Sequence, residues 1–145
     1  MYQQLFEEFL PSDDTLQIYE GRTLVFSSNK DRLLPLLDYI AQSAADHHDI
    51  TIFDKIMGNA AALLSIKAGG RVVFSPLGSE SAIKTLEKYG VRFHLMNIVS
   101  YIQKSAGSEE MCPMEKLSLG KDPEEFYRVM TAGVPNIVKN NQVFK

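Results

Sequence analysis

Helix and strand patterns alternate along the middle of this chain, and this alternation constrains its fold more than any other feature. After a two-strand pattern at residues 15–28, three helical patterns follow, each succeeded by a short strand pattern: 33–44 then 50–53, 60–67 then 71–75, and 79–89 then 91–96. Strands joined through helices lie parallel in one sheet. The order therefore predicts the α/β class, a three-layer α-β-α arrangement around a mixed sheet of about five strands.

The segments around this alternation complete the predicted domain. Thr15–Glu20 and Thr23–Ser28 flank Gly21 and Arg22, which suit a tight hairpin turn and place an antiparallel strand at the edge of the sheet. Residues 1–12 have apolar side chains at helical spacing up to Pro11, which predicts an N-terminal helix. Residues 133–145 are polar, and we expect an extended or mobile tail. No linker divides residues 1–145, so one domain is predicted.

Charge and cysteine content exclude several classes of function. The formal net charge is −3 and no basic run occurs, so no nucleic-acid or anionic-membrane partner is expected. One cysteine cannot form an internal disulfide, and the first eight residues lack the basic start and apolar run of a signal peptide. We therefore expect a cytoplasmic protein. A homodimer is expected only because two-fold dimers are the commonest soluble oligomers.

The order of elements resembles the cytidine-deaminase-like fold, and two segments sharpen this resemblance. Met57–Leu63 resembles the helix start that carries the first zinc ligand in deaminases, and Phe74–Glu80 resembles the segment that carries the other two. The deaminase reaction needs a histidine or cysteine, two further cysteines and a glutamate. The matching positions hold Met57, Asn59, Leu77 and Glu80. The resemblance therefore implies the fold without a zinc site, and we expect no metal or other cofactor.

Three motifs are similar to those of an uncharacterised bacterial family with this fold, known only as a domain of unknown function. They are the G-x-A-A-A helix start at Gly58–Ala62, the P-L-G/S-x-x-A helix start at Pro76–Ala82, and the C-P-M-E-K block at Cys112–Lys116. The resemblance covers roughly residues 14–130, most of the length of an ordinary domain. It implies a fold and a candidate site but no reaction.

Cys112 and Glu115 are the candidate catalytic residues. Pro113 suits the first position of a helix, which places Cys112 at the N-cap and Glu115 at the third helical position, as in a capping box. A thiol at a helix N-terminus faces unpaired N–H groups, which favour the thiolate. Lys116 would add a positive charge beside it or contact a ligand. Alternatively, Cys112 caps the helix or packs as a small apolar residue.

Two helix starts are candidate ligand-binding sites. Asp54, Lys55, Gly58 and Asn59 follow a predicted strand, where ligands gather in open α/β sheets and helix N–H groups hold anions. Gly78 and Ser79 open a second helix, which in the deaminase plan flanks the same pocket. Each start can equally be an ordinary capped helix. Residues 46–49, Asp-His-His-Asp, indicate a solvated loop rather than a metal site.

Three functions are compatible with these observations. The first is a zinc-free protein of deaminase-like fold that binds a small anionic or nucleotide-like ligand between the two helix starts. The second is a thiol-dependent enzyme in which Cys112 is the nucleophile and Glu115 or Asp54 moves protons. The third is an interaction module that uses a sheet edge or the C-terminal tail to recruit a partner.

Overall fold

Five strands form the sheet predicted from the alternating patterns. The structure is a computed structural model, and it describes residues 2–43 and 48–133. The strands are β1 Leu16–Glu20, β2 Thr23–Ser28, β3 Ile50–Asp54, β4 Gly70–Ser79 and β5 Arg92–Val99. Their spatial order is β2-β1-β3-β4-β5, with β1 antiparallel to both of its neighbours and β3, β4 and β5 mutually parallel. The predicted mixed sheet with a hairpin at its edge is confirmed.

Within the described ranges, six α-helices connect or cover these strands. Their bounds are α1 Tyr2–Phe9, α2 Leu34–Gln42, α3 Asn59–Lys67, α4 Glu80–Lys88, α5 Pro113–Ser118 and α6 Pro123–Arg128, the last continuing into a π-helical turn, Val129–Gly133. Pro35 lies in the first turn of α2, where a residue without an N–H costs the helix no hydrogen bond. Within residues 2–43 and 48–133, no helix is long and apolar enough to cross a membrane.

Two clusters of buried side chains lie on the two faces of the sheet. Phe53 of β3 and Phe74 of β4 pack against Phe6 and Phe9 of α1. The adjacent Ile52 and Val73 belong to the other cluster, because successive side chains of a strand point to opposite faces. That second cluster takes one or more side chains from each remaining helix: Leu36, Leu63, Leu86, Met114 and Phe126. Helices therefore cover both faces, as predicted.

Strands β4 and β5 are longer than the sequence pattern indicated. The pattern ended β4 at Ser75, before Pro76, and ended β5 at Met96. In the structure Leu77 pairs with Asn97 and Ser79 with Val99, and the Asn97 side chain donates to the Pro76 carbonyl at 3.0 Å. The predicted tail and the Asp46-His47 pair lie outside the described residues, apart from Gly133.

Candidate functional site

A cavity of about 550 Å³ lies beside the N-terminus of α3. Asp54 at the end of β3 and the two residues after it, Lys55 and Ile56, contribute to its wall. So do the N-cap residue of α3, Gly58, and two residues of its first turn, Ala60 and Ala61. Cys112, Met114 and Glu115 close it on the side of α5. The carboxyl end of a strand beside a helix N-terminus is where open α/β sheets place their ligands. The structure thus brings together residues of the first predicted ligand site and both candidate catalytic residues.

Glu115 occupies the N-terminus of α3 with its own carboxylate. The Asn59 N–H donates to Oε2 at 2.8 Å and the Ala60 N–H donates to Oε1 at 2.7 Å. Only 3% of this residue is exposed, and burial raises the pKa of its carboxyl although these two hydrogen bonds act in the opposite direction. The predicted capping box between Cys112 and Glu115 is therefore wrong, because the glutamate caps a different helix.

Gly58 makes room for this contact. A Cβ at this position would lie 2.5 Å from the Glu115 carboxyl carbon, far inside any ordinary contact distance. The backbone of Gly58 is extended at φ −85° and ψ −176°, a conformation open to any residue. The glycine is therefore required by the approach of the carboxylate and not by its own backbone. The predicted role of Gly58, close approach of an anion to the helix start, is filled by an anion of the chain itself.

Asp54 is a buried carboxylate at the cavity wall. It is 7% exposed, and its side chain accepts a long hydrogen bond of 3.4 Å from the Ile56 N–H. Burial raises the pKa of Asp54 to about 7, while hydrogen bonds from the Ile56 and Lys55 backbone oppose the shift. Within the described ranges, no Lys, Arg or His side chain lies within 4.0 Å of this carboxylate. A titratable group in such surroundings is typical of functional sites.

Lys55 contributes to the cavity wall, but its ammonium group has internal partners. The Nζ atom donates to the Ser12 carbonyl at 2.7 Å and lies 4.7 Å from the centre of the Phe9 ring. These contacts tie the end of β3 to α1 and leave the charge little freedom to reach a ligand. The structure therefore indicates a structural role for Lys55 in place of the predicted contact with a ligand.

The side chain of Asn59 is likewise hydrogen-bonded within the protein. It is 4% exposed, its amide donates to the Ser118 hydroxyl at 2.9 Å and to the Ser118 carbonyl at 3.2 Å, and its side-chain oxygen accepts from the Thr85 hydroxyl. Because both ends of the side chain are bonded, Asn59 fastens α3 to α5 and α4. It does not line the cavity.

Gly78 and Ser79 do not line the cavity either. The hydroxyl of Ser79 caps α4 by accepting from the Ala82 N–H at 3.1 Å, and a Cβ at Gly78 would meet the Leu95 side chain at 2.4 Å. Gly78 therefore serves the packing of β4 on β5. The two predicted helix starts therefore do not converge on one pocket. The start of α3 faces the cavity, whereas the start of α4 does not, and the Ser79 hydroxyl already accepts a hydrogen bond from its N–H groups.

Cys112 lines the cavity, a placement that the sequence alone could not show. It is the N-cap residue of α5, as predicted, but its thiol makes no capping hydrogen bond, and 8% of the residue is exposed. Its N–H donates to the Ile102 carbonyl at 2.8 Å, which holds the start of α5 against the preceding loop. Lys116 is exposed and lies outside the cavity, so its predicted contact with a ligand has no support in this geometry.

Loop residues complete the wall, and sequence reasoning missed them. Arg32 and Lys104 are exposed basic residues at the cavity, and Thr15 and Gln103 are polar neighbours. Their loops carry no periodicity, so pattern analysis has no means of orienting them. One signal was available: the largely polar stretch 103–110 is separated from Cys112 by Met111 alone. Across residues 2–43 and 48–133, no three His, Cys, Asp or Glu side chains are grouped so as to hold a metal ion.

Fold and site together define an α/β domain with a mixed five-stranded sheet and a partly closed cavity at the carboxyl end of β3. The family model of a domain of unknown function, DUF1893 (TM1506), matches residues 5–132, and the chain belongs to this family. It is similar to the crystal structure of a DUF1893 family protein, TM1506, from Thermotoga maritima, at 28% identity and a TM-score of 0.75. The match covers 89% of this chain and 84% of that one.

No curated protein matches the chain closely enough to suggest an activity. The predicted membership in an uncharacterised family is confirmed by the DUF1893 match. The cytidine-deaminase-like fold stays a prediction, because the family and the similar structure are described by DUF1893 alone. The homodimer and the small anionic ligand stay predictions as well.

Proposed function

We propose that this protein binds a small organic molecule in the cavity between β3, α3 and α5. The observation that carries the proposal is Asp54, a buried carboxylate on the wall of a 550 Å³ cavity with no basic side chain within 4.0 Å among the described residues. Small-molecule sites have volumes of this order and combine apolar walls with a few placed polar groups. Ile56, Ala61 and Met114 supply the apolar wall.

The sequence favoured an anionic or nucleotide-like ligand, and the geometry narrows that expectation. Glu115 already fills the anion site at the N-terminus of α3, and Ser79 caps α4. An anion is left with the exposed Arg32 and Lys104 at the cavity, where water and salt weaken its attraction. A nucleotide-like ligand would therefore place its phosphate at these loops and its base inside the cavity.

A thermal-shift screen tests whether the cavity binds ligands at all. The panel holds nucleosides, nucleotides, small acids, amines and neutral aromatic compounds, because a ligand that binds only the native state raises the melting temperature. Ala61→Met places a longer side chain in the cavity and should abolish the shift, whereas Ala41→Met, on the exposed surface of α2, should retain it. A panel with no hit in any chemical class, or a shift unaffected by Ala61→Met, would contradict the proposal.

A thiol-dependent enzyme is the second candidate, and the presence of Cys112 at the same cavity as Asp54 favours it. Both Glu115 oxygens accept hydrogen bonds from α3, so Asp54 is the better placed proton acceptor. Because Cys112 is the only thiol, alkylation by iodoacetamide followed by mass spectrometry reports on it alone. This candidate predicts rapid alkylation of the native protein that slows in Asp54→Asn. Native alkylation far slower than that of the urea-unfolded chain would instead identify a packed cysteine.

A further inference from the structure

The charges around the cavity are unevenly arranged. Asp54 and Glu115 are buried acids on its wall, and Glu115 is satisfied by the N–H groups of Asn59 and Ala60. The basic groups on the wall either have partners within the protein or are exposed to solvent. The Lys55 ammonium donates to the Ser12 carbonyl, and the Lys104 ammonium lies 3.7 Å from the Glu110 carboxylate. Arg32 is exposed on its loop. Among the described residues, Asp54 is therefore the buried acid of this wall that has neither a basic side chain within 4.0 Å nor the short helix N–H bonds that hold Glu115.

We infer that the cavity selects ligands carrying a protonated amine or amidine, which pairs with the Asp54 carboxylate while the organic part of the ligand packs against Ile56, Ala61 and Met114. The inference rests on the proposed function, since it names the chemical class of the same ligand. A buried carboxylate without a countercharge is unfavourable, and a cationic ligand supplies both the charge and the hydrogen-bond donors. The bond from the Ile56 N–H to Asp54 is long, at 3.4 Å, and Asp54 lies on the cavity wall, where the charged N–H groups of a ligand can add stronger hydrogen bonds to its carboxylate.

The remaining ionisable groups of the cavity do not cancel this preference. They are Asp31, Arg32, Lys55, Lys104, Cys112 and Glu115. Arg32 and Lys104 would repel a cation, but both are exposed, so solvent and salt screen them more strongly than the buried Asp54. Asp31 is exposed as well, which makes it a matched control: a second carboxylate at the same cavity without the burial.

Three probes of nearly equal shape test the inference: benzylamine, benzyl alcohol and benzoate. Their affinities for wild type, Asp54→Asn and Asp31→Asn are measured by calorimetry at about pH 8 and about pH 5, on either side of the Asp54 transition. We expect wild type to bind benzylamine roughly tenfold or more tightly than benzyl alcohol at the higher pH, because hydrogen bonds between charged groups are the strong ones. The preference should shrink at the lower pH and vanish in Asp54→Asn, but persist in Asp31→Asn.

The possible failures of this inference and of the proposed function are distinguishable. Equal or tighter binding of benzyl alcohol or benzoate at the higher pH, lost in Ala61→Met, would overturn the selection of cations and leave the cavity as a binding site. An amine preference that survives Asp54→Asn would overturn the role of Asp54. Absence of binding by all three probes, together with an empty thermal-shift screen, would overturn both.

Discussion

At the scale of single residues, the contact between Gly58 and Glu115 decides what the helix start can bind. The carboxylate belongs to α5 and the N–H groups to α3, more than fifty residues apart in sequence. A helix N-terminus attracts anions because its first N–H groups have no partner within the helix. Here the anion is the Glu115 carboxylate of the chain itself, so the attraction that suggested a ligand site instead holds α5 against the start of α3.

A double-mutant cycle tests the contact between Gly58 and Glu115. Glu115→Ala leaves two buried N–H groups without acceptors and should lower the free energy of unfolding by about 2–4 kcal/mol. Gly58→Ala should cost about 1–3 kcal/mol, because its Cβ would lie 2.5 Å from the Glu115 carboxyl carbon. Urea unfolding followed by circular dichroism measures both changes.

The coupling between the two substitutions is the decisive quantity. Once Glu115 is removed, the added methyl group meets no carboxylate, so Gly58→Ala should cost less than about 1 kcal/mol in the Glu115→Ala background. Additive costs would mean that Gly58 is needed for another reason, and the steric account would be wrong.

At the scale of secondary structure elements, the sequence predicted most of the architecture. Periods of two and of 3.6 residues gave the hairpin, the order of the helices and the parallel strands, because each pattern reports locally which face of an element is buried. The ends of β4 and β5 were missed, since Pro76 looks like a terminator until β5 pairs on either side of it. Helix α6 begins at Asp122-Pro123 with a capping box, in which the Asp122 side chain accepts from the Glu125 N–H and the Glu125 side chain accepts from the Asp122 N–H.

The candidate site was only partly predictable, for the same reason. Asp54 and Cys112 were identified because each stands beside a boundary, the end of a strand and the start of a helix. The hydrogen-bond partners of Asn59, Lys55 and Glu115 could not be identified, because contacts between residues far apart in the chain leave no periodic pattern in the sequence.

Helix α1 offers a prediction at this scale. Phe6 is 3% exposed, and its ring centre lies 5.3 Å from that of Phe74 and 5.6 Å from that of Phe53. Phe6→Ala should therefore destabilise the protein by about 3–5 kcal/mol. The exposed Gln3 on the same helix is the control, and Gln3→Ala should change stability by less than about 0.5 kcal/mol. Similar costs for the two substitutions in thermal unfolding would show that α1 is not packed on the sheet.

At the scale of the whole molecule, burial of Asp54 ties stability to pH. Its pKa is raised from 3.8 to about 7 on folding, so between these values the native state binds more protons than the unfolded state. Stability from this group is therefore greatest below about pH 4 and is lost as the pH rises through 7. The shift corresponds to about 4 kcal/mol at most. Burial also raises the pKa of Glu115, which adds a change of the same sign.

The difference between wild type and Asp54→Asn isolates this effect, because exposed ion pairs such as Lys30 with Asp38 are common to both proteins. We expect Asp54→Asn to match wild type near pH 4 and to be more stable by a few kcal/mol near pH 8, in urea unfolding at a series of pH values. A difference that stays constant across this range would show that Asp54 is hydrated and readily charged. A mutant that is more stable but no longer binds amines would show that this carboxylate is kept at the expense of stability, as expected of a binding residue and not of a structural one.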